Sequence, residues 1–246
     1  MAIMRSRFYK KGDMVFISHL DLIRIFERAT RRADIPIDYT QGFNPHPIMA
    51  FATALGVGVA SEGEYIDMQL SNNMDNELFM KKLNNVLPDG LKIIKSKIIT
   101  DNAKSLMSII RSSTYLVKLR TKKLLSETDM KQHIDNLLDR KVIVELKQKK
   151  QRRGRKNRKP EFREVNIRPL IKNVEPFLLD EHEVLLKMHL AAGSQGNLKP
   201  EVVVDKLCEL ANLPIEQYET RVKRLGLFIN GGNKFLTPLD EEAWNI

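Results

Sequence analysis

Residues 2–10, AIMRSRFYK, and 64–70, EYIDMQL, alternate apolar and polar side chains with a period of two, the pattern of half-buried strands. Residues 48–54 are small and apolar and 91–99 are rich in isoleucine, so both read as further strands. Between them the period changes to that of a helix. Leu22, Ile25, Phe26, Ala29 and Ala33 fall on one stripe, and Leu78, Phe79, Leu83 and Val86 on another within 75–86. Ser18 followed by Asp21 has the capping-box pattern, with Asp at its last position. Turns are signalled at Lys11-Gly12-Asp13, Ser61-Glu62-Gly63 and Pro88-Asp89-Gly90, and Gly56 and Gly58 break the preceding strand. The element order is βαββαβ, a ferredoxin-like arrangement.

The same order recurs downstream. Residues 114–120, 142–147 and 182–190 alternate as strands, 126–138 and 200–211 have helical spacing, and a last strand falls within 217–228. Residues 100–112 read as a connector. The expected fold class is therefore α+β: two tandem ferredoxin-like units over 1–100 and 113–246, the second with a basic hairpin insertion at 148–181. Residues 142–148 and 162–167 suit the two arms of that hairpin.

Charge changes the picture at two places. The chain of 246 residues has a formal net charge of +10, yet 149–160 hold eight Lys or Arg and no acid. These are Lys149, Lys150, Arg152, Arg153, Arg155, Lys156, Arg158 and Lys159, and without them 33 basic residues face 31 acidic ones. A local run of like charge has a polyanion as its readiest partner, since each neutralised phosphate releases counterions; it reads equally as a solubilising loop or a contact to an acidic protein. The second place is the polar side of the first helix, with Arg24, Arg28, Arg31 and Arg32. Guanidinium forks match phosphate geometry. Asp21, Glu27 and Asp34 lie nearby, so that side also reads as an ordinary solvated surface.

Ile35-Pro36 ends this helix, because the residue before proline is pushed out of helical geometry. Gln41-Gly42-Phe43-Asn44-Pro45-His46-Pro47 follows, and its prolines fix φ on each side of His46. A stiff loop carrying Gln41, Asn44 and His46 loses little entropy on binding. His19, near the helix start, is a second group that titrates near neutral pH, and either histidine suits acid–base work. His46 equally suits a hydrogen bond within a turn. Residues 192–200, AGSQGNLKP, join a strand to a helix; glycines there leave N–H groups available to a phosphate, and Lys199 adds charge. No Walker pattern is present, and a flexible turn is the plainer reading.

Other chemistry is thin. The one cysteine, Cys208, lies in an apolar helical pattern and reads as a core residue. Iron–sulfur clusters and structural zinc draw on several thiolates or closely spaced Cys and His, so no metal or cofactor is expected. His182 and His189 are seven apart on one strand and face opposite ways. No apolar run approaches the roughly 20 residues needed to cross a bilayer, and the first residues lack a signal-peptide core; the expected location is the cytoplasm.

Phe16-Ile17-Ser18-His19-Leu20-Asp21, the arginine-rich helix, Gly42-Phe43-Asn44-Pro45-His46-Pro47 and Ser61-Glu62-Gly63-Glu64-Tyr65 together resemble the radical-SAM-linked family of uncharacterised bacterial proteins. The resemblance runs through most of the chain, best in 1–70 and again near 193–200. Members of that family occur alone or fused to a B12-binding radical S-adenosylmethionine (SAM) protein, often beside genes for ribonuclease G and ribosomal proteins. The resemblance thus implies an RNA or ribonucleoprotein partner and a separate radical SAM enzyme, and it assigns no catalytic residue. A first functional reading is an accessory protein that binds RNA for that enzyme. A second follows from element order: tandem ferredoxin-like units with a histidine after the first strand are similar to the CRISPR repeat-processing RAMP nucleases. That similarity implies metal-independent endoribonuclease chemistry, with His19 or His46 as acid–base group and Arg28 or Arg31 stabilising the phosphorane. A third is a small ligand, or the partner's cofactor, bound by the His46 loop.

Overall fold

The computed structural model describes residues 2–99, 103–124, 126–148, 161–215, 219–231 and 234–245. In the first half, β1 (Ala2–Lys10) lies between β3 (Ala60–Leu70) and β4 (Leu91–Ile99), antiparallel to both, and the short β2 (Met49–Phe51) pairs with the other side of β3. Two helices, α1 (His19–Arg32) and α2 (Asn76–Asn84), cover one face. Leu22, Phe26 and Ala29 of α1 and Phe79 and Leu83 of α2 pack on Met4, Phe8, Ile66 and Met68. Each such large side chain, fully buried, contributes about 1.5–3 kcal/mol over exposure. Phe8, Phe26 and Phe51 meet edge to face, with centroids 5.1–6.1 Å apart.

The start of α1 is fixed from both sides. The Asp21 backbone N–H donates to Ser18 Oγ (3.2 Å), whose hydroxyl donates to Asp21 Oδ2 (2.7 Å). Beneath it, the buried Lys10 ammonium donates to the carbonyls of Val15 (3.3 Å) and Ile17 (3.2 Å). Burial lowers the pKa of Lys10, against the attraction of Glu64.

The second half begins with the four-residue α3 (Leu106–Ile109) and β5 (Ile110–Arg120). Then come α4 (Glu127–Leu138), β6 (Val144–Gln148), β7 (Phe162–Asn166), β8 (Ile171–Leu178), β9 (Glu183–Ala191), α5 (Pro200–Ala211), β10 (Arg221–Gly231) and β11 (Lys234–Leu236). Met130, Ile134 and Leu137 of α4 and Val203, Val204 and Leu207 of α5 bury one side of β5 and β9, through Tyr115, Val117, Leu119, Leu186 and Met188. The main strands run β4-β1-β3-β10-β5-β9-β8, with β11 on β10, and make one large mixed sheet in an α+β fold.

Three expectations are corrected. The strand expected at 142–147 does not join this sheet: among the described residues β6 pairs only with β7, Val144 opposite Asn166 and Gln148 opposite Phe162. Its place is taken by β8, which lies inside the stretch 148–181 expected as an insertion. A bulge between Ile171 and Asn173 and a proline at 176 hide the alternation of β8, and proline is tolerated because β8 is an edge strand. The connector expected at 100–112 already contains α3 and the start of β5. Ser61-Glu62-Gly63 is not a turn but part of β3. A Cβ at Gly63 would sit 2.9 Å from Arg7 Nε and 3.1 Å from the Leu225 carbonyl oxygen, so glycine eases a close approach of two other strands. The basic run at 149–160, which links β6 to β7 in sequence, lies outside the described residues.

The halves meet where β3 and β10 pair in parallel, Ala60 beside Lys223 and Ser61 beside Arg224. The Arg224 guanidinium, 5% exposed, is surrounded. It donates to both oxygens of Glu64 (3.0 and 2.9 Å), to Thr53 Oγ1 (3.0 Å) and to the Tyr115 hydroxyl (3.3 and 3.0 Å), while Ser61 Oγ donates to Glu64 Oε1 (2.6 Å). Burial alone would lower the pKa of Arg224; the Glu64 charge and Tyr115 more than reverse this and raise it. Beside this pair, Lys223 (2.5 Å) and Lys11 (3.1 Å) hold Glu62, and their bonds keep its carboxyl below the usual range. Among the described residues no helix is long and apolar enough to cross a membrane.

Removing one partner of a buried pair leaves the other charged and desolvated, which costs about 3–5 kcal/mol. Glu64→Ala is expected to lower unfolding stability by that order, measured by urea titration followed by far-ultraviolet circular dichroism. A loss under about 1 kcal/mol would show that the junction does not depend on the pair.

Candidate nucleic-acid interface

The apolar stripe of α1 leaves its arginines outward. Arg24, Arg28, Arg31 and Arg32 are all exposed. Arg24, Arg28 and Arg32 are spaced i, i+4, i+8 and form one row. Arg24 is paired with Asp21 (3.1 Å), whose carboxyl lies below the usual range chiefly through the Ser18 hydrogen bond. Arg28, Arg31 and Arg32 make no ion pair among the described residues. Like charges four apart on a helix cost about 0.2–0.5 kcal/mol per pair, while Arg31 and Arg32, in the last turn of α1, are favoured by the helix dipole by about 0.3–1 kcal/mol each. Arg28 and Arg32 border a groove of about 420 Å³ floored by Ile25 and Ala29 and closed by the Asn85–Pro88 segment after α2.

The loop after α1 is closed on itself. The Thr40 N–H donates to the His46 carbonyl (2.9 Å), and the His46 N–H donates to Thr40 Oγ1 (3.0 Å). The imidazole is addressed on both nitrogens. Asn44 Nδ2 stands 3.1 Å from Nε2, and Glu27 Oε1 stands 4.0 Å from Nδ1. An amide donor on Nε2 makes that nitrogen the acceptor and leaves the proton on Nδ1, toward Glu27. The His46 ring is 60% exposed, Gln41 and Asn44 are exposed, and Phe43 projects fully into solvent beside Gly42, whose φ of 129° suits glycine alone. Glu27 belongs to α1, so the His46 loop and the arginine row are tied to one helix.

The two histidines are not brought together. His19 is half-buried with its ring edge-on to Phe51 at 5.3 Å, whereas His46 is held over Glu27, about 12 Å farther along the helix axis. Lys199 is also apart from the arginine row. It is the N-cap of α5 and lines a pocket of about 250 Å³ at the junction of the halves, with Asn197, Tyr115, Arg224 and the 54–59 segment. The glycine at 193 answers to packing: its φ is 99° and a Cβ would collide with the Ile110 carbonyl. The eight basic residues of 149–160 lie outside the described residues.

Sequence reasoning missed Arg224, Tyr115 and Glu64 as a buried polar centre. One signal was present: Glu64 has the same parity on its strand as Ile66, Met68 and Leu70, which puts a carboxylate on the core face. No group of three or more His, Cys, Asp or Glu that could hold a metal ion occurs among the described residues.

Comparison with protein families gives a match over residues 4–200 to the model described as "Uncharacterized protein conserved in bacteria (DUF2344)". No curated protein matches the chain. Among solved structures, a chain of a Cbf5-Nop10-Gar1 complex aligns with 98% of this chain and 54% of its own length, at 8% identity and a TM-score of 0.49. A chain of an archaeal box H/ACA sRNP Nop10-Cbf5 complex aligns over 97% and 49%, at 8% identity and a TM-score of 0.47. The chain thus spans about half the length of these proteins. At that level the likeness carries no statement about activity or partner.

Burial on α5 pushes the Cys208 thiol up to about 11, which disfavours the thiolate near neutral pH. At pH 8 the native protein should react with iodoacetamide at a rate on the order of a hundredfold below that of the urea-unfolded chain, whose thiol titrates near 8.5. Equal rates in the two states, followed by mass spectrometry, would refute this.

Proposed function

We propose, for a chain that belongs to the DUF2344 family of proteins conserved in bacteria, that it is an RNA- or ribonucleoprotein-binding accessory protein acting through α1 and the loop that follows it. The single observation carrying this reading is the row of exposed arginines. Arg28, Arg31 and Arg32 lack ion-pair partners among the described residues, whereas the buried basic residues Arg5, Lys10 and Arg224 are all engaged. Free guanidiniums in a row suit a phosphate backbone, because each can clamp two oxygens. The pre-closed loop with Gln41, Asn44 and His46 adds hydrogen-bonding groups beside that row at little entropic cost. The basic run at 149–160 is a second contact in this reading, and Lys199 at the junction pocket a third.

The architecture supports reading residues 1–100 and 113–246 as ferredoxin-like units. The orders β4-β1-β3-β2 and β10-β5-β9-β8 are equivalent, with antiparallel neighbours in each. The radical SAM enzyme as partner rests on the motif resemblance alone; its absence from material captured on the tagged protein from cells would remove it. The endoribonuclease alternative needs His19 or His46 to reach a phosphate without the other. Intact labelled RNA after incubation with the protein in EDTA counts against it.

Binding is tested by anisotropy of labelled mixed-sequence RNA at increasing salt. Wild type should show a steep loss of affinity with salt. Replacing Arg28, Arg31 and Arg32 together by alanine should reduce the slope of log K against log salt by about 2, since each phosphate contact contributes about 0.7–0.9. A flat salt dependence, or no binding by wild type at low salt, sinks the reading.

A further inference from the structure

The face of the second half turned away from α4 and α5 carries a feature that the α1 surface does not explain. Positions in register across four strands are Gly226 of β10, Thr114 of β5, His189 of β9 and Asn173 of β8. Their neighbours Tyr115 and Met188 point into the helix-covered core, so by alternation Thr114 and His189 point the other way, and Asn173 lines the same cavity. Thr114, Asn173, His189 and Leu225 line a depression there, and aromatic rings stand around it. His189 lies 4.7 Å from Phe235, and Phe235 lies 5.4 Å from Phe228. A methyl at 226 would press on the Phe228 ring at 3.3 Å, so glycine there lets that ring lean over the floor. The resulting cavity measures about 570 Å³, within the range of small-ligand sites.

Two facts argue for an occupant. Phe235 is 66% exposed, an outward aromatic that the fold's own core leaves uncovered. Cations rim the apolar floor. Lys187 is 3.6 Å from Glu175, which also accepts from Asn173 (2.7 Å), while Lys172 has no ion pair among the described residues. The His189 Nδ1 is 3.1 Å from Thr114 Oγ1, which holds the ring in place. Burial, and then the neighbouring Lys172, lowers the pKa of His189 and favours the neutral ring. Apolar rings with an unpaired cation at the edge complement a flat heterocycle that carries a phosphate.

We propose that this cavity is a stacking site for one unpaired base of single-stranded nucleic acid, the base lying against Phe235 and Phe228 and its phosphate facing Lys172. Four-stranded sheets that read single strands use exposed aromatics on neighbouring strands in this way, and each stacked base contributes a substantial part of affinity. A duplex hides its bases and gains nothing from such a site. The proposal does not depend on the α1 arginines, and the two surfaces separate by experiment.

The test uses the full chain, fluorescein-labelled hexa-adenylate RNA and a blunt RNA duplex with the same number of phosphates. Phe235→Ala, at an exposed position, and Lys172→Glu should each weaken hexa-adenylate binding at least about fivefold. Phe235→Ala should leave duplex binding within about twofold, because stacking is the term removed. Circular dichroism of both variants checks the fold. Alanine at Arg28, Arg31 and Arg32 should weaken both probes, so its failure with a surviving Phe235 effect overturns the α1 reading alone. Hexa-adenylate binding that is absent, or unchanged in both the Phe235 and Lys172 variants, overturns the stacking site.

Discussion

The structure depends on one buried ion pair between parts of the chain 160 positions apart. Parallel pairing of β3 with β10 is recorded at only two positions, Ala60 with Lys223 and Ser61 with Arg224. So short a ladder gives little by itself. What closes the junction is Arg224 on Glu64, with Tyr115, Thr53 and Ser61 satisfying the remaining donors and acceptors. Taking both charges out of water is expensive, and only such saturation makes it tolerable. The pair therefore sets how the first half, which carries α1 and its loop, sits against the second.

Position, more than composition, sorts the basic residues of this protein. Arg5 is bidentate to Asp67 at 2.8 Å and also donates to the Lys104 and Pro238 carbonyls, tying the connector and the C-terminal segment to β1. Burial raises the pKa of Asp67 against the pull of Arg5. Lys10 fixes the chain before α1 through two carbonyls. These side chains are structural. Arg28, Arg31 and Arg32 have the same chemistry and none of this engagement among the described residues.

Much of the first half was legible in the sequence because its signals are local. The Ser18–Asp21 cap, the stripe Leu22–Phe26–Ala29 and the alternation of β1 and β3 each lie within a few residues of one another. The arginine row was legible for the same reason. Strand β8 was not, since Pro176 and a bulge erase its period and only the strand order reveals its place. Gly63 was misread as a turn because its close neighbours, Arg7 and the Leu225 carbonyl, come from other strands. Arg224 and the ring cluster of His189, Phe228 and Phe235 were invisible for a stronger version of this reason. Their members meet only after β10, β5 and β9 have been ordered side by side.

The main strand order ends at β4 and β8, and an unprotected rim invites another chain to add a strand. Here each is made inhospitable by ordinary means. Along β4, Lys92 and Lys95 are exposed, and a second copy would have to bring its own lysines against them. Along β8, Pro176 lacks the N–H that an added strand would need to pair with. Growth by edge addition is thereby discouraged at both ends. The exposed arginines of α1 and the uncovered ring of Phe235 lie away from both of these rims.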